Sequence, residues 1–291
     1  MRVVTFVYEG KTRLGVLRSA EGGQRVFDLN VLDPRLPGDM LDFLEAGSAA
    51  HELAKQALSS ASPAQGLDYT AVTLKAPIPR PGKILCIGQN YLAHAAEANA
   101  GASPYPIIFS KHANAVVGPG EPIVVPAETS EPDYEGELAV VIGKRARRVP
   151  EAQALAYVAG YMPLNDVSAR DWQGRTSQWL MGKTFDTFAP MGPALVTADE
   201  IADVQDLVVR TVIGGEILQE ASTSLMIFSV ANLIAYITQV VTLEPGDVIA
   251  TGTPAGIGAV RTPPRWLRDG DIVRVEIERV GVLENPVVVQ S

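Results

Sequence analysis

A proline-rich segment at residues 75–82, Lys-Ala-Pro-Ile-Pro-Arg-Pro-Gly, divides the chain. It holds three prolines and one glycine in eight residues. Because proline lacks a backbone N–H group and has a fixed φ angle, neither a helix nor an interior strand can run through this segment. We therefore predict a domain boundary here, with a small N-terminal domain at residues 1–75 and a larger domain at residues 76–291.

Short apolar runs on both sides of this segment predict a strand-rich α+β fold with few helices. The 26 glycines and 21 prolines of the chain are typical of a fold with many turns. The predicted strands are 3–8, 15–18, 26–29, 83–87, 138–142, 194–197, 208–213, 247–251 and 272–277. The predicted helices are 40–45, 51–58, 91–100 with Asn90 as its cap and Gly101 as its end, 151–158 and 229–240.

The chain is acidic. Its 24 Lys and Arg against 33 Asp and Glu give a net charge of −9, which repels nucleic-acid phosphates and anionic lipid head groups. The apolar runs fall far short of the roughly 20 residues that cross a bilayer, and the first ten residues lack the apolar stretch of a signal peptide. A single cysteine, Cys86, cannot form an intrachain disulfide. We expect a cytoplasmic protein that binds neither nucleic acid nor a membrane.

A cluster of acids, Asp133-Tyr-Glu-Gly-Glu137, runs directly into the apolar residues 138–142. A buried strand seldom begins with so many carboxylates unless something neutralises them. In an extended chain Glu135 and Glu137 point to the same face with Cα atoms about 7 Å apart, which suits two oxygen ligands of one hard cation. The alternative is a solvated strand end.

Asp166 offers a third acidic ligand, since it follows the apolar residues 159–164 at the end of a buried element. Two glutamates and one aspartate would give Mg²⁺ or Mn²⁺ an all-oxygen shell that leaves room for water and a chelating substrate. The alternative for Asp166 is a helix N-cap. A zinc site of thiolate or imidazole type is disfavoured because the chain has three histidines and one cysteine.

His94 and Glu97 are three residues apart on the helix predicted after Asn90, so they are neighbours on one face. A carboxylate beside an imidazole orients it and favours its protonated form, which makes the pair suitable for proton transfer or water activation. An ordinary exposed helix pair is the alternative.

Two lysines and one glycine-rich loop are further candidates. Lys183 lies in a polar interruption between apolar segments, where an ammonium group could stabilise an oxyanion, and Lys111 is a similar case; a surface lysine is the alternative for both. The loop at residues 251–258, Thr-Gly-Thr-Pro-Ala-Gly-Ile-Gly, exposes backbone N–H groups that could cradle a carboxylate. It lacks the ending of a P-loop, and the chain has no G-x-S-x-G motif.

Taken together, these segments resemble the fumarylacetoacetate hydrolase family over about residues 80–291. Each motif alone is weak, but their order and spacing are specific. The motifs are Gly-Gln-Asn-Tyr-Leu-Ala-His-Ala-Ala-Glu at 88–97, Phe-Ser-Lys at 109–111, Asp-Tyr-Glu-Gly-Glu-Leu at 133–138, Asn165-Asp166 through Arg170-Asp171, Gly182-Lys183 through Phe185-Asp186, and Gly-Asp-Val-Ile-Ala-Thr-Gly-Thr-Pro at 246–254.

The resemblance implies a mixed β-sandwich roll, with residues 1–75 as the variable N-terminal region of bacterial members. It implies a Mg²⁺ or Mn²⁺ ion held by Glu135, Glu137 and Asp166. Members of the family are usually homodimers, so we expect a homodimer here.

The resemblance also implies roles for individual side chains. His94 and Glu97 would be the catalytic pair on a lid-forming segment, and Lys183 would stabilise an oxyanion. Trp172 and Phe188 depart from the family pattern and are expected to add bulk beside the pocket. The residues implied to hold substrate are Arg170, Gly252, Thr253 and Lys111.

These roles predict a hydrolase that cleaves a carbon–carbon bond of a small 1,3-diketo or 2-oxo acid, such as an acylpyruvate, fumarylpyruvate or a sugar-derived 2,4-diketo acid. Glu97 with His94 would activate water to attack the distal carbonyl, and cleavage would release a pyruvate-type enolate that the metal stabilises. The same residues also fit decarboxylation of oxaloacetate, or isomerisation or hydration of 2-hydroxyhepta-2,4-diene-1,7-dioate. A non-enzymatic metabolite-binding protein should lack some of the acids or the His–Glu pair, and all are present.

Overall fold

The computed structural model describes residues 1–20, 23–97, 101 and 103–290, and it is rich in strands. The strands are β1 Arg2–Tyr8, β2 Lys11–Ala20, β3 Gly23–Asp28, β4 Leu67–Asp68, β5 Thr73–Leu74, β6 Ile84–Gly88, β7 Ile107–Lys111, β8 Val116–Val117, β9 Ile123–Val125, β10 Pro132–Asp133, β11 Gly136–Ile142, β12 Val158–Asn165, β13 Ser168–Ala169, β14 Ala189–Pro190, β15 Leu195–Thr197, β16 Val208–Ile213, β17 Glu216–Ser222, β18 Val248–Ala250, β19 Ile272–Ile277 and β20 Gly281–Val289. The α-helices are α1 Leu29–Leu32, α2 Met40–Ser60, α3 Leu92–Glu97, α4 Arg170–Gln173, α5 Leu180–Lys183 and α6 Val230–Val240. The predicted β-rich α+β class is confirmed.

Two large sheets form the frame of the part of the chain described here. Eleven strands make one sheet in the order β4-β3-β2-β1-β15-β12-β11-β18-β6-β7, with β5 paired to β1. Five strands make the other, in the order β17-β16-β19-β20-β9. Both sheets are mixed, because β18 pairs in parallel with β6 and β20 pairs in parallel with β9, while the other pairs in them are antiparallel. Strand β11 contacts β16 and β19 of the smaller sheet, and β12 contacts β19 and β20.

Strand β11 lies between β12 and β18 in the larger sheet and is buried along its whole length. Successive side chains of a strand point to opposite faces, so its apolar residues enter two different cores. Leu138, Val140 and Ile142 pack in a core with residues of β16, β19 and α6. Ala139 and Val141 pack in a second core that extends into the N-terminal segment. A strand covered on both faces has a continuous apolar sequence.

The N-terminal segment is joined to the rest of the chain through the sheet, because β1 pairs with β15 at Val3 and Leu195. The two predicted helical pieces at 40–45 and 51–58 are one element, α2, which is interrupted by a non-helical Gly47 with φ 62°. The predicted domains on both sides of residue 75 share this one sheet. The domain boundary itself stays a prediction.

Several predicted elements differ from the structure. Residues Glu151–Tyr157 form a 3₁₀ helix rather than an α-helix, and the predicted last residue of the helix, Val158, begins β12. The side chain of Asn90 bonds the backbone of Phe228 and Thr251 instead of capping a helix. The predicted end of that helix at 98–100 lies outside the described residues. Strands β17 and β20 were not predicted because polar residues, and in β20 also a proline, interrupt their apolar pattern.

No helix in the described ranges is both long and apolar enough to cross a membrane.

We predict that Leu138→Ala lowers the free energy of unfolding by about 2–5 kcal/mol, because the substitution leaves a cavity in a closely packed core. The Leu138 side chain is 0% exposed. Leu225→Ala is the matched control, since Leu225 is 62% exposed and should change stability by less than about 0.5 kcal/mol. Urea denaturation measures both, and equal losses in the two variants would contradict the packing described here.

Candidate metal centre and active site

Three carboxylates converge where β11 begins and β12 ends. Gly136 pairs with Asn165 across the two strands, so Glu135 and Asp166 lie side by side just beyond the pair. The backbone N–H of Asp166 donates to the carbonyl oxygen of Glu135 at 2.8 Å. Glu137 points to the same side as Glu135 because one residue separates them on an extended chain. One carboxylate oxygen of each acid lies within 4.8 Å of those of the other two.

Three cationic side chains, the buried Lys111 and Lys183 and the half-buried Arg170, surround two of these acids. Lys183 Nζ donates to Glu135 Oε2 at 2.7 Å and to Asp166 Oδ2 at 2.9 Å. Lys111 Nζ donates to Asp166 Oδ1 at 2.6 Å and to the carbonyl oxygen of Val167 at 2.9 Å. An Nη atom of Arg170 lies 2.6 Å from Glu135 Oε1 in an ion pair without the alignment of a hydrogen bond. Both oxygens of Glu135 and both of Asp166 therefore face positive charge.

Glu137 differs from the other two acids in its compensation. Within the described residues its carboxylate has no cationic partner; Oε2 accepts a hydrogen bond from the backbone N–H of Gly252 at 2.8 Å. Burial, together with the charges of Asp166 and Glu135, raises the pKa of Glu137 well above its usual value. Burial also acts to raise the pKa of Glu135, but Lys183 and Arg170 outweigh it and hold that pKa below its usual value.

The geometry fits a divalent cation. The donors are all carboxylate oxygens, which is the set that Mg²⁺ and Mn²⁺ prefer. The cation would neutralise the carboxylate of Glu137, which the protein itself leaves uncompensated by a charged side chain. Among the described residues of this region, four carboxylates are buried, with Asp133 as the fourth, whereas the cationic side chains that pair with them are three, Lys111, Arg170 and Lys183.

The loop that follows β18 holds three of the acids of this region through its backbone N–H groups. Gly252 donates to Glu137 at 2.8 Å, and Gly256 donates to both oxygens of Glu97 at 2.8 and 3.0 Å. Gly258 donates to Asp133 at 2.7 Å. A Cβ atom at Gly258 would lie 2.6 Å from that carboxylate and 2.1 Å from a backbone oxygen, so only glycine fits there.

His94 and Glu97 face each other on α3, with 3.5 Å between His94 Nδ1 and Glu97 Oε2. His94 is 7% exposed and lines a cavity of about 270 Å³. Glu135, Arg170, Lys183 and Thr253 line the same cavity. The other lining residues are Ile87, Gly88, Gln89, Phe109, Gln173, Trp179, Ile257, Ala259 and Val260.

The family model for the fumarylacetoacetate (FAA) hydrolase C-terminal domain matches residues 83–288. The chain belongs to the fumarylacetoacetate hydrolase family. The mitochondrial oxaloacetate tautomerase of Xenopus laevis is 46% identical over 290 residues, which cover 99% of this chain and 90% of the relative.

Solved structures of the fumarylacetoacetate hydrolase family also match over the whole chain. Fumarylacetoacetate hydrolase from Exiguobacterium antarcticum superposes with a TM-score of 0.86 at 35% identity and covers 100% of both chains. Maleylpyruvate hydrolase from Sphingobium, solved with manganese(II) and pyruvate, superposes with a TM-score of 0.83 at 31% identity and covers 100% of both chains. The chain is therefore a member of an enzyme family whose named members act on small organic acids.

The residues implied by this family resemblance take different positions in the structure. Arg170, Thr253 and the His94–Glu97 pair lie at or beside the cavity. Lys111 and Gly252, predicted to hold substrate, do not line it: Lys111 lies behind Asp166 with its side chain 0% exposed, and Gly252 binds Glu137. Whether each residue acts in catalysis stays a prediction.

The expectation that Trp172 and Phe188 add bulk beside the pocket is wrong. Trp172 packs its edge against Phe185 and lies under the guanidinium of Arg175, with its Nε1 donating to the backbone of Glu128. Phe188 is 0% exposed in a separate apolar core. Neither side chain lines the cavity.

Trp179 supplies the bulk instead, and sequence reasoning missed it. A Cβ atom at Gly88 would lie 2.5 Å from Cζ3 of Trp179, so the indole rests directly on this glycine. Its edge contacts Phe109, and the Phe109 ring lies 4.9 Å from Lys183 Nζ. The spacing of Trp179 four residues before Lys183, across the short α5, was a signal that could have found it.

We predict that Mn²⁺ or Mg²⁺ raises the melting temperature of protein stripped with EDTA, because a ligand that binds only the folded state stabilises it. The gain should be about 2.7 kcal/mol when the free metal is 100-fold above its dissociation constant. Glu137→Gln should abolish this gain while stabilising the metal-free protein, since a neutral amide replaces an uncompensated buried carboxylate.

Glu45→Gln, an exposed change on α2, is the control and should keep the full gain. Differential scanning calorimetry with and without metal measures all three proteins. An unchanged metal response in Glu137→Gln would exclude Glu137 as a ligand.

Proposed function

We propose that this protein catalyses the keto–enol tautomerisation of oxaloacetate, or of a closely similar small 2-oxo diacid, with a divalent cation. The observation that carries the proposal is the 46% identity, over 99% of the chain, to a protein named as an oxaloacetate tautomerase. The cavity of about 270 Å³ supports a small substrate, because pockets for drug-sized ligands begin at about 300 Å³.

Glu135, Glu137 and Asp166 would hold Mg²⁺ or Mn²⁺. When bound, the cation would polarise the 2-oxo group and stabilise negative charge on its oxygen. Lys183 adds a positive charge to the floor of the cavity, the part of its lining formed by Glu135, Arg170 and Lys183. Burial acts to lower the pKa of Lys183, but Asp166 and Glu135 raise it above the usual value, so the ammonium group stays protonated. Positive charge near the 2-oxo oxygen favours the enolate-like transition state.

Tautomerisation requires one proton to leave carbon 3 and one to reach the 2-oxo oxygen. His94 lines the cavity and has Nδ1 towards Glu97, which leaves Nε2 as the nitrogen that can exchange a proton with substrate. The backbone N–H of Gly256 donates to both carboxylate oxygens of Glu97, so this carboxylate is held in place and orients the imidazole. No water has to be consumed in this reaction.

Hydrolysis of a carbon–carbon bond in an acylpyruvate-type acid is the second candidate. It is favoured by the His94–Glu97 pair, which could activate water, and by the 31% identity to a maleylpyruvate hydrolase. We rank it second because the relative named as a tautomerase shares 46% identity. The same site would serve the start of both reactions, since each develops charge on a 2-oxo oxygen.

A homodimer and a cytoplasmic location stay part of this proposal. Large apolar side chains beside the cavity support a subunit contact, since Leu92 and Met181 are 63% and 60% exposed and Ile108 on the sheet edge β7 is 39% exposed. Light scattering after size-exclusion chromatography measures the subunit number.

We predict that the Mn²⁺-loaded protein accelerates the change in enol absorbance of oxaloacetate over buffer with Mn²⁺ alone, and that EDTA removes the acceleration. His94→Gln should lower kcat by about 100-fold or more, the usual contribution of general acid–base catalysis. His112→Gln, at an exposed histidine, is the matched control and should keep wild-type kcat.

A parallel assay with maleylpyruvate, coupled to the detection of pyruvate, separates the two candidates. Release of pyruvate without acceleration of oxaloacetate tautomerisation would replace the first candidate by the second. Absence of both reactions in a metal-loaded, folded protein would contradict both.

A further inference from the structure

Gln89 has a backbone conformation that favours glycine. It lies between β6 and α3 with φ 55°, in the left-handed region. Residues other than glycine, asparagine and aspartate seldom adopt this conformation, because the Cβ atom crowds the backbone. Such a residue persists where its neighbours fix the backbone, and it is found most often at functional sites.

The neighbours of Gln89 do fix the backbone. Asn90, the next residue, donates through Nδ2 to the carbonyl oxygens of Phe228 and Thr251 at 3.0 and 2.8 Å and accepts from the N–H of Phe228 at 2.8 Å. A Cβ atom at Gly252 would lie 2.7 Å from Cβ of Asn90, so the two turns are in direct contact. The backbone that carries the Gln89 side chain is therefore held in place.

Gln89 lines the cavity and is half-buried, whereas Glu135 and Lys183 on the floor are buried. The cationic groups of the floor, Lys183 and Arg170, are held by carboxylates of the protein. In the described part of the chain, the carboxamide of Gln89 has no hydrogen-bond partner. Much of the rest of the wall is apolar, with Trp179, Ile257 and Val260 among its residues. Gln173 also lines the cavity, and its side-chain oxygen accepts a hydrogen bond from Arg170 at 2.9 Å.

We propose that Gln89 is a specificity-determining residue: its carboxamide N–H₂ group donates to the substrate carboxylate that lies farther from the 2-oxo group. This inference rests on the proposed function for the type of substrate, a 2-oxo diacid. The floor would hold the 2-oxo acid end, and a second carboxylate at the opposite wall would meet Gln89 among largely apolar residues. An amide there supplies a hydrogen bond without another buried charge, and the protein then prefers 2-oxo diacids to 2-oxo monoacids.

The test compares two ligands by isothermal titration calorimetry of the Mn²⁺-loaded protein. One is 3,3-difluorooxaloacetate, a 2-oxo diacid that cannot enolise, and the other is pyruvate, which lacks the second carboxylate. Gln89→Met keeps an unbranched side chain of similar size and the same backbone demand. It should weaken binding of the diacid by about 10-fold, the effect of losing one hydrogen bond to a charged group, and leave the dissociation constant for pyruvate unchanged.

Two further variants keep the test decisive. Gln89→Gly removes the side chain and relieves the backbone, so it should fold at least as well and show the same selective loss. Gln178→Met, at an exposed glutamine that does not line the cavity, should bind both ligands as the wild type does.

Equal weakening for both ligands in Gln89→Met, or unchanged binding of the diacid, would overturn the role of Gln89. The readout does not depend on turnover, so it is separate from the test of the proposed reaction. Wild-type protein that binds pyruvate but not the diacid would overturn this inference and count against the proposed substrate class, whereas absent tautomerisation with selective loss in Gln89→Met would leave the inference intact.

Discussion

The rest of the structure depends on how the carboxylates buried at the junction of β11 and β12 are compensated by cationic side chains. Carboxylates are costly to bury unless cations or hydrogen bonds compensate them. Here Lys111, Lys183 and Arg170 reach the acids from three separate segments of the chain. Those segments must therefore come together in the folded state, and the remaining uncompensated acid, Glu137, defines where a cation fits.

The two sheets supply the rigidity that this charge balance needs. Strand β11 is covered on both faces, so the acids at its start cannot move without disturbing two cores. The pairing of β11 with β12 fixes Glu135 beside Asp166. The metal centre therefore has a fixed shape, while the cavity above it is formed by shorter elements, α3, α4 and the loop after β18.

Much of the site could be predicted from the sequence because its chemistry is local. The acids stand in one short segment before an apolar strand, and His94 and Glu97 have helical spacing. The position of Lys111 behind Asp166, the packing of Trp172 and Phe188 in a separate apolar core, and the contact of Trp179 with Gly88 all depend on tertiary packing. The strands β17 and β20 were missed for a related reason: their pairing partners, not their own patterns, hold them in the sheet.

The loop after β18 has a consequence for how such a protein can change over evolutionary time. Because its N–H groups hold Glu137, Glu97 and Asp133 together, an insertion or deletion in it would displace three acids at once. Single substitutions at positions in the cavity wall, such as Gln89 and Trp179, would leave these three acids in place. New substrates should therefore arise through the walls of the cavity, with the loop and the acids inherited as one unit.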